Sequence, residues 1–150
     1  MEKKIIVSAC LAGCPCRYDG KAQTNETAAM LVAVGKAVPV CPECMGGLPT
    51  PRVPAEIEGG SGEDVLCGKA RVIASDGEVR FDVTDAFLKG AEEALRIARE
   101  VGADEAILKA NSPSCGFGTI YDGTFSGARK EGNGVAAALL SQSGIKVRSL

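Results

Sequence analysis

Seven cysteines and no histidine bound the chemistry of this 150-residue chain. Without imidazole there is no His/Cys zinc site, no His-ligated haem, no His-based triad and no imidazole general base. An odd number of cysteines cannot close a complete disulfide framework, and a reducing compartment keeps thiols free in any case. Metal ligation or redox chemistry is then the leading use. Soft thiolates select iron–sulfur clusters, zinc or copper(I). Three thiolates on a [4Fe–4S] cube leave one iron without a protein ligand and open to substrate, whereas four close the site.

Local spacing keeps several readings open. Cys41-Pro-Glu-Cys44 has the C-x2-C spacing of zinc sites, and Cys14 and Cys16, too tightly spaced for the usual zinc knuckle, could complete such a site. The same Cys41–Cys44 pair has thioredoxin-like spacing, but Met45-Gly46-Gly47-Leu48-Pro49 disfavours the helix that such a redox pair begins. Cys67 reads as a small buried apolar residue. Cys10, Cys41 and Cys115 stand among Gly, Pro and polar residues and fit that bland role poorly.

The elements that must position these thiols follow from hydrophobic patterning. Residues 4–9 (KIIVSA) read as a short buried strand ending at Cys10, and AVPV (37–40) as a second ending at Cys41. EAILKA (105–110) is a third, delivering NSPSCG and thus Cys115 to its carboxyl end. Asn25 caps a helix running to about Gly35, and Thr84 or Asp85 caps the strongest helix, 85–101, with Phe87, Leu88, Ala91, Ala94, Leu95 and Ala98 at helical spacing. ARVIASDGEVRFDVT (70–84) is a hairpin turning at Asp76-Gly77. A last helix, 133–143, and a last strand, 145–149, close the pattern. The stretch 42–61, with four prolines, reads as a functional loop without a regular element, and GTIYDGTFSGARKEGNG as another loop.

Strands alternating with helices predict an α/β fold over a single domain, residues 1–150. Its sheet is mainly parallel and flanked by helices, with a β-hairpin insertion and with loops at the strand carboxyl ends. Ligand sites form beyond those ends, so distance in sequence does not keep Cys10, Cys41 and Cys115 apart. The net charge of −2, with both signs mixed along the chain, offers no basic stripe for nucleic acid and no polybasic membrane patch. No segment approaches the roughly 20 apolar residues of a spanning helix, and the apolar run after the first lysines is too short and too broken for a signal peptide. A cytoplasmic protein is expected.

The motifs SACLAGCPCRYDGK, CPECMGGLPTPRVPAEI, DVTDAFLKGAEEAL, LKANSPSCG and IYDGTFSGARKEGNGVAAALL occur in this order. Together they resemble the thiouracil desulfurase family, with a likeness running from about residue 5 to 149. The resemblance implies a [4Fe–4S] cluster held by three cysteines, which fall on Cys10, Cys41 and Cys115. It places the family's catalytic acidic residue on Glu43 and an associated serine on Ser112, while Cys14, Cys44 and Cys67 look like additions to the pattern. The implied activity converts a thiocarbonyl of a small thionucleobase to a carbonyl by hydrolysis, with no net redox change. Arg17, Lys109 and Asn111 are candidates for holding the substrate or balancing charge, and Arg52 and Glu56 for a loop-fixing ion pair. The alternative is a non-catalytic module that binds structural zinc or a cluster.

Overall fold

The computed structural model describes residues 3–150. Strands β1 (Ile5–Ser8), β2 (Ala37–Val40), β6 (Glu105–Leu108) and β9 (Lys146–Ser149) form one parallel sheet in the order β2-β1-β6-β9. Pro39 is tolerated within β2 because β2 is an edge strand, where a missing N–H removes no ladder bond on its open side. Alternation along each strand sends Ile6, Ala106 and Leu108 to one face and Val7 and Ile107 to the other. Helix α1 (Glu26–Ala33), capped by the Asn25 side chain, covers the second face through Ala28. Helices α4 (Thr84–Glu100) and α5 (Val135–Gln142) cover the first.

Helix α4 joins this sheet to a second one. Its Ala94, Leu95 and Ala98 pack on the parallel sheet, while Phe87 and Ala91, one to two turns earlier, pack beneath an antiparallel sheet. That second sheet contains β3 (Ala55–Glu58), β4 (Arg71–Ser75) and β5 (Arg80–Asp82), in the order β3-β4-β5. A further hairpin pairs β7 (Thr119–Tyr121) with β8 (Arg129–Glu131). Short helices α2 (Pro42–Met45) and α3 (Gly62–Leu66) complete the elements. No helix among the described residues is long and apolar enough to cross a membrane.

Four expectations change. The 42–61 stretch is not free of regular structure: it contributes α2 and β3, because its prolines fall at the first helical position of α2 and outside β3. The segment around Tyr121 is the β7–β8 hairpin rather than a loop. Neither Thr84 nor Asp85 caps α4. Val83 holds the cap position, Asp82 accepts the Thr84 N–H at 2.8 Å, and the Thr84 hydroxyl is occupied by the Val72 N–H at 2.9 Å. Cys67 is exposed at the end of α3 rather than buried.

Candidate active site

In a parallel sheet ordered this way the chain leaves β1 in one direction to β2 and returns to the other side at β6, so the crevice beyond the carboxyl ends opens between β1 and β6. A cavity of about 590 Å³ lies there, within the range typical of small-molecule sites. Cys10, Cys41 and Cys115 all line it, as do Glu43 and Ser112. Cys16, Arg52 and Ser114 line it too, but Cys14, Cys44 and Cys67 do not.

Each thiol arrives by a separate route. Cys10 follows β1 in a 3-10 turn, Ala9–Ala12, closed by Gly13 in the left-handed region at φ 101°. Ser8 ties the two central strand ends together, because its buried hydroxyl accepts the Lys109 N–H at 2.9 Å. Cys115 comes seven residues after β6 on a tight loop. There the Ser112 hydroxyl oxygen accepts the N–H groups of Ser114 and Cys115 at 3.1 and 3.0 Å. The loop is pressed onto the start of α5: Val135 and Ala137 N–H groups donate to the Pro113 and Ser114 carbonyls, and a Cβ on Gly134 would meet the Ser114 carbonyl carbon at 2.6 Å.

Cys41 is the N-cap of α2, with Pro42 next and Glu43 in the first turn. Two glycines let this turn lie directly on α4. A Cβ on Gly90 would sit 1.8 Å from the Pro42 carbonyl oxygen, and one on Gly46 would sit 2.0 Å from that of Ala86. The helix that Met45-Gly46-Gly47 disfavours therefore forms for a single turn, because backbone contact with α4 replaces helix propensity. The Gly46 and Gly116 N–H groups are used by the turns themselves, on the Pro42 and Ser112 carbonyls.

The thiols differ in acidity. Cys41 is pulled down to about 6 by a hydrogen bond from the Cys16 thiol, aided by the Cys44 backbone N–H. Burial pushes Cys10 up, with Cys41 adding to it and Lys109 and Arg17 opposing. Burial also raises Cys115, to about 12, partly offset by the Ser8 and Ser114 hydroxyls. Cys41, as the N-cap of α2 with Cys44 three residues on, has the local geometry of a redox pair. What sets it apart is the cavity it shares with two cysteines from other strand ends.

Glu43 is fixed at both oxygens. Oε1 accepts Arg52 Nε at 3.1 Å in a nearly buried ion pair, and Oε2 accepts the Ser114 hydroxyl at 2.8 Å and that of Ser112 at 3.4 Å. The Arg52 guanidinium also donates to the carbonyls of Cys16 and Pro49 and to the Thr50 hydroxyl, joining three chain segments around the carboxylate. Arg52 thus partners Glu43, not Glu56 as its spacing in PRVPAEI suggests. The Glu56 Oε1 instead accepts the Gly123 and Phe125 N–H groups at 3.0 and 3.2 Å. Ser114 escaped the sequence reading although it sits beside Cys115. Its signal, a second serine two residues after Ser112, reads as turn chemistry until Glu43 is brought to it. Lys109, Arg17 and Asn111 all reach the cavity. Arg17 is engaged by Gln23 at 2.9 Å, and Asn111 turns the chain in the left-handed region at φ 69°.

The donor set is soft, as an iron–sulfur cube requires. Among the described residues no three Cys, Asp or Glu side chains are gathered to hold a single metal ion. Four soft donors, Cys10, Cys16, Cys41 and Cys115, instead line one space, and three thiolates suffice to hold an iron–sulfur cube.

Fold and cavity together define an α/β protein that gathers thiols and two fixed carboxylates, Glu43 and Glu56, in a cavity at its sheet switch point. The chain belongs to the 2-thiouracil desulfurase family, whose pattern it matches over residues 5–149. It is 52% identical to the uncharacterized protein YbbK of Bacillus subtilis (strain 168) over 145 residues, 97% of this chain and 94% of YbbK. Among solved structures it is similar to the [4Fe-4S]-dependent thiouracil desulfidase TudS, with a TM-score of 0.84 and 45% identity, covering 99% of this chain and 91% of that one.

Proposed function

We propose that this protein hydrolyses the thiocarbonyl of a thiouracil-like heterocycle, C=S plus water giving C=O plus hydrosulfide and a proton, and that Cys10, Cys41 and Cys115 hold a [4Fe–4S] cluster for the purpose. The observation that carries this reading is the meeting of those cysteines, from three strand ends, with Glu43 on one cavity. Family membership and the likeness to TudS support it.

When bound, the cluster supplies a soft Lewis acid, at the iron that three thiolates leave free, for the sulfur of the substrate. Glu43 accepts the proton of the attacking water at Oε2, the natural base in a chain without histidine. Arg52 keeps Oε1 in place, so only Oε2 faces the serines. Ser112 has its oxygen lone pairs occupied by two backbone N–H groups, which leaves its proton for Glu43 or for the Ser114 hydroxyl 2.9 Å away. The three groups form a short relay for the water proton. The substrate is a free small molecule, and the reaction needs no outside electron source.

Anaerobic purification and reconstitution test the proposal. A brown protein with about four irons per chain, releasing sulfide and uracil from 2-thiouracil, is the expected result. A colourless protein with one firmly held zinc, or a loaded protein that releases no sulfide from any thionucleobase, overturns it.

A further inference from the structure

Aromatic residues are scarce in this chain, two Tyr and four Phe with no Trp, yet three of the six line one cavity. Tyr18, Tyr121 and Phe125 share it with Cys10, Cys41 and Cys115. Tyr18 and Tyr121 keep 42% and 37% of their surface exposed. The guanidinium of Arg17 lies over Tyr18, 5.8 Å from the ring centroid. Phe125 is half-buried on the loop between β7 and β8.

Phe125 also has an unusual backbone. Its φ of 57° lies in the left-handed region, which bulky residues rarely adopt. Such conformations persist only where the surroundings over-determine them, and they concentrate at functional sites. Here the constraint is visible. Glu56, a nearly buried carboxylate on β3, accepts the N–H of Phe125 itself and that of Gly123 two residues before it. Gly123 lies so near β3 that a Cβ would sit 2.6 Å from the Ile57 carbonyl oxygen. The loop is therefore clamped to the antiparallel sheet at the two residues flanking Thr124, and the direction of the Phe125 side chain is set by that clamp.

The groups assigned to the chemistry act on a C=S bond whatever ring carries it, so ring recognition must come from another part of the cavity. We propose that Phe125 is a specificity-determining residue whose ring stacks on the planar heterocycle of the substrate, and that Glu56 is the residue that positions it. The inference rests on the thiocarbonyl reading of the cavity and adds the residues that select its flat conjugated ring over a saturated or acyclic thioamide. Stacking suits this task because every nucleobase offers a π-face, while a puckered ring does not.

Calorimetric titration of uracil and 5,6-dihydrouracil into the cluster-loaded protein, alongside sulfide release from 2-thiouracil, tests the assignment. The wild type binds uracil more tightly than its puckered analogue. Phe125→Ala loses about fivefold or more in uracil affinity, raises KM for 2-thiouracil with kcat little changed, and leaves dihydrouracil binding nearly as it was. Phe125→Tyr, which keeps a ring, retains the preference. Glu56→Ala matches the Phe125→Ala loss, Glu56→Gln restores binding because its amide oxygen can accept the same two N–H groups, and the double alanine variant is no weaker than Phe125→Ala alone.

Wild-type affinity for uracil in Phe125→Ala, an equal loss for both ligands, or a wild type indifferent to uracil overturns the proposal. Uracil binding involves no desulfuration, so the two readings fail separately. A wild type that stacks uracil but releases no sulfide loses the desulfurase reading alone. Normal sulfide release with an indifferent Phe125 loses the stacking alone.

Discussion

The two sides of the cavity are built by different means. One side, carrying Cys10, Cys41, Cys115 and Glu43, hangs from the carboxyl ends of β1, β2 and β6, three hydrogen-bonded neighbours in a sheet buried on both faces. The other, carrying Glu56, Tyr121 and Phe125, comes from the antiparallel sheet and the β7–β8 hairpin, whose loop the Glu56 carboxylate ties to β3 at two N–H groups. The first side inherits its spacing from strand separation, which is nearly invariant. The second is set by local contacts that a few substitutions can rearrange. The proposed function and the proposed stacking together put chemistry on the first side and ring recognition on the second.

The largest expected effect comes from the contrast between the two carboxylates. Glu43 presents Oε2 to two serine hydroxyls, which can donate or accept and so follow a change in its proton content, whereas Glu56 Oε1 accepts two backbone N–H groups that can only donate. Glu43→Gln keeps the shape and removes the base. It should lower kcat for sulfide release by about 10²- to 10⁴-fold while iron content and uracil affinity stay at wild-type levels. A Glu43→Gln enzyme within tenfold of wild type (about 1.4 kcal/mol of barrier) breaks the comparison, because proton handling would then lie elsewhere in the cavity.

A smaller effect separates the two sides by stability. Gly90→Ala places a Cβ against the Pro42 carbonyl oxygen, a backbone atom with no freedom to swing aside, so α2 must lift from α4. Overpacking of this kind costs about 3 kcal/mol, read as a lower midpoint in chemical denaturation. Cys41 and Glu43 move with α2, so iron retention and turnover fall together, while the Glu56 clamp is untouched and uracil still distinguishes itself from dihydrouracil. Loss of that preference in Gly90→Ala would tie the two sides into one cooperative unit.

The same contrast governs how much could be read from the chain alone. β1, β2 and β6 are short apolar runs, and α4 repeats its alanines at helical spacing, so the parallel sheet and the convergence of three cysteines follow from pattern. The family motifs then point to Glu43 and Ser112. What pattern does not carry is contact between distant segments. Arg52 meets Glu43 rather than Glu56 because the chain that follows α2 brings Arg52 back beside it, and no local spacing encodes that. β3 is hidden behind prolines, β7 and β8 behind glycines, and each exists because it finds a partner: β4 for β3, and one another for the hairpin. Ser114 and Phe125 were illegible for the same reason. Their roles depend on Glu43 and Glu56, 71 and 69 residues away.

The smallest expected effect sharpens the first side at its one ambiguous thiol. Cys44 is three residues from Cys41, and on a regular helix residues so spaced are neighbours on one face. Both sulfurs lie 3.8 Å from the Cys16 carbonyl oxygen, but only Cys41, an N-cap with extended backbone, φ −126° and ψ 96°, lines the cavity. The Cys44 sulfur lies 3.4 Å from the Thr50 hydroxyl and 3.9 Å from Arg52 Nη1, in the bracing around the guanidinium rather than on the cavity wall. Serine at position 44 can keep the Thr50 hydrogen bond. Cys44→Ser should therefore leave iron content unchanged, alter stability by about 0.5 kcal/mol or less, and hold kcat/KM within about twofold, while Cys41→Ser loses the iron. The opposite pattern, iron lost from Cys44→Ser and kept by Cys41→Ser, would move the ligand one helical turn along α2. It would also mean that α2 shifts when the cluster is loaded, since Cys41 and not Cys44 lines the cavity with Cys10 and Cys115.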